Sequence, residues 1–358
     1  MTGGEKGSRS LLMLGIETSC DETSAAVVSE TGGLWTIGSN IVASQVNIHR
    51  EWGGVVPELA SRQHIRDICP VVRSALDTAK TDLKALDAIA VTQGPGLVGS
   101  LLVGVSFAKS LALSLDRPLV PVHHLAGHIE SLFLQHGDIP LPLVALVVSG
   151  GHTSLYVVTE PGRYERIGRT RDDAAGEAYD KVAKLLGLGY PGGPIVDRRA
   201  REGNDEAIAL PSTRMTHADR NAPQTRGDLD FSFSGLKTAV LRHVRQRSGS
   251  GVPLTEAEKN DICASFQRVV VSTLLDRIFE AADRYGAHSV GIAGGVSANA
   301  RLRDDFAHRA ARLAIPAYVP HISLSTDNAA MIAAAGLRNF HAGIRAGLDL
   351  NADASLPL

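Results

Sequence analysis

Aromatic residues are scarce in this 358-residue chain, at 4%, and there are only three cysteines, Cys20, Cys69 and Cys263. Their odd number, wide spacing and lack of any Cys-x-x-Cys argue against a disulfide framework or a thiolate metal cage, so reduced thiols are expected. Net charge is nearly absent, at −2, which argues against a generically basic nucleic-acid binder. Long unbroken apolar runs are missing as well. After Lys6 and Arg9 the apolar stretch 11–16 stops at Glu17, too short for a signal peptide. The greasiest segment, 97–115, contains Lys109 and several Gly and Ser residues and reads as a buried helix rather than a membrane span. A cytoplasmic protein with no membrane association is expected.

What is present is enough apolar residue, 44%, to build a large core on a chain too long for one ordinary domain. Charge is unevenly spread: residues 163–247 hold 16 Lys/Arg against 12 Asp/Glu, a local excess that can face a polyanion or simply be a solvated surface. Residues 14–28, LGIETSCDETSAAVV, read as strand, small polar turn, strand. Residues 143–158, LVALVVSGGHTSLYVV, repeat that plan. A strand at 88–92 runs through QGPG into a helix near Leu97, and a strand at 289–293 runs through GGVSAN into a helix near Ala300. Such duplication predicts an α/β protein of two lobes facing across a cleft, with Gly-rich turns at the carboxyl ends of strands. The lobes are placed at 11–139, completed by a C-terminal helix 327–348, and at 140–326, parted at Pro140-Leu141-Pro142. Residues 203–227, polar and without periodicity, read as a loop insertion, and the tail after Leu348 as frayed.

Chemistry concentrates in PVHHLAGH, 121–128, and STDN, 325–328. His124 and His128 are four apart, so on a helix their imidazoles share a face. With Asp327 they form a set suited to a divalent iron or zinc ion, leaving positions open for substrate. The alternative is a packed structural pair. Leu125 stands where a zinc peptidase needs its Glu, which disfavours proteolysis. Ser149-Gly150-Gly151 and Gly294-Gly295 are candidate anion cradles or ordinary turns. Asn299 is either a helix N-cap or a partner for ribose or base. Asp180 and Asp197 are left as ribose ligands or solvated acids.

Taken in order, LGIETSCDET, GGVVPELASRQH, TQGPGLVGSLLVG, PVHHLAGH, LVVSGGHT, DDAAGEAYDKVAKLLGLGYPGGP, DFSFSGLKT, GGVSAN and STDNAAM resemble the bacterial type of the universal tRNA N(6)-adenosine threonylcarbamoyltransferases, once called O-sialoglycoprotein endopeptidases. The resemblance spans residues 11–336. It implies a duplicated actin-like fold (the actin, Hsp70 and sugar-kinase fold) with two lobes around a nucleotide cleft. The implied reaction transfers threonylcarbamoyl from threonylcarbamoyl-AMP to the N(6) amine of adenosine 37, just 3′ of the anticodon, in tRNAs reading codons that begin with A. Carried over by position, His124, His128 and Asp327 are metal ligands, with Fe(2+) favoured over Zn(2+), although spacing alone accepts either. Val147, Val148, Ser149, Gly150, Gly151, Asp180, Gly193, Asp197 and Asn299 hold the adenylate, and a nucleotide (ATP, ADP or AMP) is a further expected occupant. Asp21 matches an acidic position near the reaction. Expected partners are the tRNA anticodon loop, an inactive paralogue of the same fold and a P-loop ATPase.

These parts suit the chemistry. A mixed anhydride is already electrophilic and AMP leaves readily, so no protein nucleophile is required. The weak aromatic amine must be oriented, charge developing on carbonyl and phosphate oxygens stabilised, and a proton removed. Asp21 is the candidate base or orienting group, against the alternative that it caps a turn. A sugar kinase on the same fold would need a magnesium-holding acid rather than this imidazole pair. A non-catalytic scaffold would have little use for so complete a set of expected site residues.

Overall fold

Beginning at Leu11, an apolar strand ends in the small polar residues of a turn and the chain doubles back. The computed structural model describes residues 10–212, 214, 215, 227–248 and 253–358. In it, β1 (Leu11–Glu17) pairs antiparallel with β2 (Glu22–Thr31), which pairs antiparallel with β3 (Leu34–Ser44). On its other edge β1 is parallel to β4 (Ala88–Gly94), and β4 to β5 (Leu119–His123), giving the order β3-β2-β1-β4-β5. A second sheet repeats the plan. β6 (Leu143–Val148) and β7 (Thr153–Glu160) form the antiparallel pair, β8 (Arg163–Arg169) extends it, and β9 (Ser289–Ala293) and β10 (Ala317–Tyr318) run parallel beyond β6. The order β10-β9-β6-β7-β8 is that of the first sheet with corresponding strands in corresponding places. The duplicated order read from the sequence is therefore present.

The chain divides into two units: one holds residues up to Gln45, Val55–Asp138 and Asp327–Leu358, the other Val46–Gly54 and Ile139–Thr326. In the first, helices Pro57–Thr78 and Val98–Leu115 pack against the sheet and each other over a core that includes Leu14, Ile16, Val27, Ile89 and Val105. Among the described residues only Val98–Leu115 is long and apolar enough to cross a membrane, and here it packs on β4 and on helix Pro57–Thr78. Helix Ala329–His341 lies on β1 and β2 and against helix His124–His136. It is shorter than the helix expected over 327–348, since Asn328 caps its start and Gly343, at φ +77°, turns the chain just beyond its end. In the second unit, helices Ala175–Leu185, Gly192–Ala200 and Glu256–Arg284 surround a core with Tyr179, Phe231 and Phe266.

The expectation of a frayed tail is corrected. Asp353 N donates to the Gln93 carbonyl, Gly96 N to Ala354, and Lys109 Nζ to the carbonyls of Leu348 and Leu350. A short polar sequence with no periodicity of its own is ordered by backbone groups that it finds on β4 and the turn beyond. Of the expected insertion 203–227, residues 213 and 216–226 lie outside the described residues. No disulfide joins the three cysteines.

Candidate functional site

Two chain segments bring the His-His-Asp set together within the first unit. β5 ends at His123 and helix His124–His136 begins at the next residue, so His124 stands at the carboxyl end of a parallel strand and His128 one turn on, their rings 4.8 Å apart. The helix start is fixed by His123, whose Nδ1 accepts from Leu125 N and whose Nε2 donates to the Leu356 carbonyl of the tail. Asp327 arrives from the other direction, just before helix Ala329–His341, whose first turn Asn328 caps by accepting from Met331 N. The two helices approach closely at Gly127, where a Cβ would lie 2.9 Å from Ile332 Cδ1.

One donor atom from each of His124, His128 and Asp327 lies within 4.8 Å of the others. Asp327 Oδ1 is 3.5 Å from His124 Nε2 and 3.2 Å from His128 Nε2. His128 is fully buried, yet neither ring nitrogen has a hydrogen bond. Leaving a buried polar atom so costs about 1–3 kcal/mol unless something else satisfies it. Burial lowers the His128 pKa against the pull of Asp327, so the ring is a neutral donor. For His124 burial acts downward too, but the carboxylates of Asp327 and Glu17 outweigh it and hold the ring up at about 9. Around these rings carboxylates crowd: burial, then Asp21 and Asp327, raise the Glu22 pKa well above its usual range. Burial, then Asp21 and Asp327, also push the Cys20 thiol up. A neutral imidazole with no well-formed hydrogen bond, in contact with Asp327 and beside further carboxylates, fits a divalent cation better than a packed structural pair.

Asp21 sits nearly buried at the end of the turn between β1 and β2, its carbonyl accepting from Gln45 N. That turn is pinned by His64. Its Nε2 lies 2.9 Å from the Cys20 carbonyl, which only accepts, so Nε2 carries the proton and Nδ1 receives the Thr23 hydroxyl at 2.8 Å. Burial lowers the His64 pKa and keeps the ring neutral.

The residues expected to hold an adenylate lie in the second unit as two groups and a turn. Asp180 Oδ1 accepts from Gly192 N at 2.7 Å, beside Gly193. Asp197 Oδ1 accepts from Gln267, whose Oε1 accepts from Asn299 Nδ2 at 2.8 Å, while Asn299 Oδ1 caps helix Ala300–Arg312 by accepting from Leu302 N. Val147 and Val148 are fully buried in β6, where they pair with Ser154 and Thr153 of β7. Ser149 closes the turn by exchanging hydrogen bonds with His152. A Cβ built on Gly150, Gly151 or Gly193 meets nothing within 4 Å, and none of the three has a positive φ. Neither packing nor backbone conformation within the protein demands glycine there.

Three residues that matter were not singled out from the sequence. Glu17 was read only as the charge that ends an apolar run, Gln267 sits inside the long helix Glu256–Arg284, and His64 lies in a helix whose apolar spacing draws the eye elsewhere. The available signals are that Glu17 is a carboxylate ending an apolar strand within LGIETSCDET and that His64 closes GGVVPELASRQH, two of the motifs that carry the resemblance.

Residues 36–334 match the family model described as tRNA N6-adenosine threonylcarbamoyltransferase. The chain belongs to this family. Proteins named tRNA N6-adenosine threonylcarbamoyltransferase are similar over nearly their whole length: one from Symbiobacterium thermophilum is 53% identical over 353 residues, covering 99% of this chain and 98% of that one. One from Koribacter versatilis is 48% identical over 380 residues, covering 97% and 99%. Membership in the tRNA N6-adenosine threonylcarbamoyltransferase family makes the chain a tRNA-modifying transferase and sets aside the kinase and peptidase readings. Solved structures supply the fold alone. HypF from T. kodakarensis superposes with TM-score 0.61 at 15% identity, covering 95% of this chain, which spans 49% of that one. An activator of 2-hydroxyisocaproyl-CoA dehydratase from Clostridium difficile, solved with ADPNP, superposes with TM-score 0.50 at 13% identity, covering 92% and 93%. Both agree with an actin-like α/β fold.

Proposed function

We propose that this transferase moves threonylcarbamoyl from threonylcarbamoyl-AMP to N(6) of adenosine 37 in tRNAs reading codons that begin with A. The observation that carries the reading is the buried His128, two ring nitrogens without hydrogen bonds beside His124 and Asp327, in a chain of this family. His124, His128 and Asp327 would hold a divalent ion, Fe(2+) ahead of Zn(2+). When bound, that ion supplies Lewis-acid charge that offsets the negative charge growing on carbonyl and phosphate oxygens. The Ser149-Gly150-Gly151 turn and Gly193 admit the phosphate and ribose to close backbone contact. Asp180, Asp197 and Asn299 offer oxygens and an amide to the ribose and base, held in place by Gly192 and Gln267. Asp21 orients the incoming amine and takes its proton, from a turn that His64 keeps rigid. A single-stranded anticodon loop offers its adenosine at little unstacking cost. An inactive paralogue of the same fold and a P-loop ATPase are the partners, and the cytoplasm the compartment.

The test is mass spectrometry of digested, previously unmodified tRNA after incubation with the protein, these partners and threonylcarbamoyl-AMP. Threonylcarbamoyladenosine with wild type and none with His124→Ala/His128→Ala is the expected result. No product from wild type, where a homologue succeeds under the same conditions, overturns the reading.

A further inference from the structure

Glu17 is fully buried at the end of β1 and makes three hydrogen bonds through two oxygens. Oε1 accepts from Ser19 N; Oε2 accepts from Thr92 Oγ1 at 2.7 Å and lies 3.0 Å from His124 Nδ1. Ser19 Oγ is also 3.2 Å from that nitrogen. A carboxylate only accepts, so Nδ1 carries a proton on this side, and Nε2 is the nitrogen turned toward Asp327 and His128. We propose that Glu17 is the positioning residue of the site: it fixes the His124 ring and its tautomer so that Nε2 is available as a ligand. This rests on the metal reading given above and extends it to a residue outside the ligand set.

The hydrogen-bond pattern makes the inference sharp, because Ser19 N can only donate. In Glu17→Gln the amide oxygen must stay on the Ser19 side, which puts the amide NH2 where Oε2 was. Thr92 can turn its hydroxyl and accept. At His124 Nδ1 the amide NH2 now favours acceptance over donation, with Ser19 Oγ at 3.2 Å the one acceptor left for an Nδ1 proton, so the neutral ring is expected to carry its proton on Nε2, the nitrogen that faces Asp327. A near-isosteric change of one heavy atom, with no loss of packing, thereby favours the non-ligating tautomer. Partners of this kind are worth about 10–100-fold in metal affinity.

The experiment uses the full-length protein with 15N-labelled histidine. Long-range proton–nitrogen spectra report the His124 tautomer in metal-free and Zn(2+)-loaded samples, and chelator competition reports Zn(2+) affinity. Wild type is expected to carry Nδ1–H in the neutral metal-free ring and in the Zn(2+) form. Glu17→Gln is expected to carry Nε2–H in the neutral ring and to bind Zn(2+) about 10–100-fold more weakly. Thr92→Val, which removes a hydroxyl but not the carboxylate, is expected to keep Nδ1–H, whereas a merely structural role for Glu17 predicts no tautomer change in either variant. Nδ1–H retained in Glu17→Gln overturns the proposal. So does Nε2–H in neutral wild type, an outcome that needs no variant to fold. Wild type that binds no Zn(2+) sinks the metal reading, and the metal-free tautomer comparison still decides the role of Glu17.

Discussion

The candidate sites of the two units satisfy their buried polar groups in different ways. In the second, Asp197, Gln267 and Asn299 are chained by hydrogen bonds that end on a helix cap, and Asp180 is engaged by Gly192 N. In the first, His128 buries two nitrogens with no hydrogen bond, and carboxylates press on Glu22 and Cys20. A closed network can hold its shape by itself and present spare lone pairs to a ligand. An open one is stable only with something that brings charge. The contrast holds for the two candidate sites and not for the whole units, since Tyr179 Oη and Ser297 Oγ of the second are also buried without a hydrogen bond; it fits the proposed cation to the first site and a proposed adenylate surface with open glycines to the second.

The largest expected effect would break the first half of that comparison. His124→Ala/His128→Ala should abolish bound divalent metal, read by elemental analysis, and transfer activity with it. In wild type, chelation should lower thermal stability; a ligand at about 100 times its dissociation constant contributes about 2.7 kcal/mol. The double variant should show no chelator effect. A chelator response that survives both substitutions would place the metal elsewhere.

The next pair sharpens the second half. A Cβ on Gly176 would lie 2.6 Å from the Ser149 carbonyl oxygen, backbone against backbone, so Gly176→Ala should cost about 1–3 kcal/mol and disturb the turn. A Cβ on Gly150 meets nothing. Gly150→Ala should leave stability unchanged or up to about 1 kcal/mol higher, by restricting the unfolded chain. It should nevertheless weaken adenylate binding by tenfold or more, measured by calorimetry with a non-hydrolysable analogue. Equal adenylate affinity in Gly150→Ala would remove the ligand argument from these glycines. Smaller again, Asn299→Ala should cost about 1 kcal/mol through the lost cap, and Gln267 should lose its link from Asp197 to that helix.

What the sequence made legible follows from range. Period-two strands, glycine turns and helix starts are local, so both hairpins and both strand–turn–helix units were readable, as was the shared face of His124 and His128. Asp327 could be offered as a third ligand on its chemistry and was assigned by the resemblance, since nothing local links it to residues two hundred positions earlier. Glu17 and His64 act through partners 107 and 44 positions away, and no spacing rule connects them. The tail failed as a reading for the same reason: its order comes from Gln93, Gly96, Lys109 and His123, none of them near it in sequence. Of the two roles open to Asn299, the helix cap is the one the structure displays, its Oδ1 accepting from Leu302 N.

The smallest predicted effect is a control far from either site. Thr255 and Glu258 form a reciprocal capping box at the start of helix Glu256–Arg284. Bonds from Thr255 N, from its hydroxyl and from Arg247 hold the Glu258 carboxyl down at about 2. A carboxyl depressed on folding stabilises the protein above its unfolded value, and that contribution is lost as pH falls through the folded one. Wild type should therefore exceed Glu258→Gln in denaturant stability by a constant margin from neutrality down to about pH 4.5, the usual carboxyl value. The margin should then shrink steadily and vanish near pH 2. Since Glu258 touches neither the His-His-Asp set nor the glycine turn, Zn(2+) affinity and adenylate affinity at neutral pH should match wild type. A change in either would mean that the cap of this helix, which also carries Gln267, is coupled to the Asp197–Asn299 network.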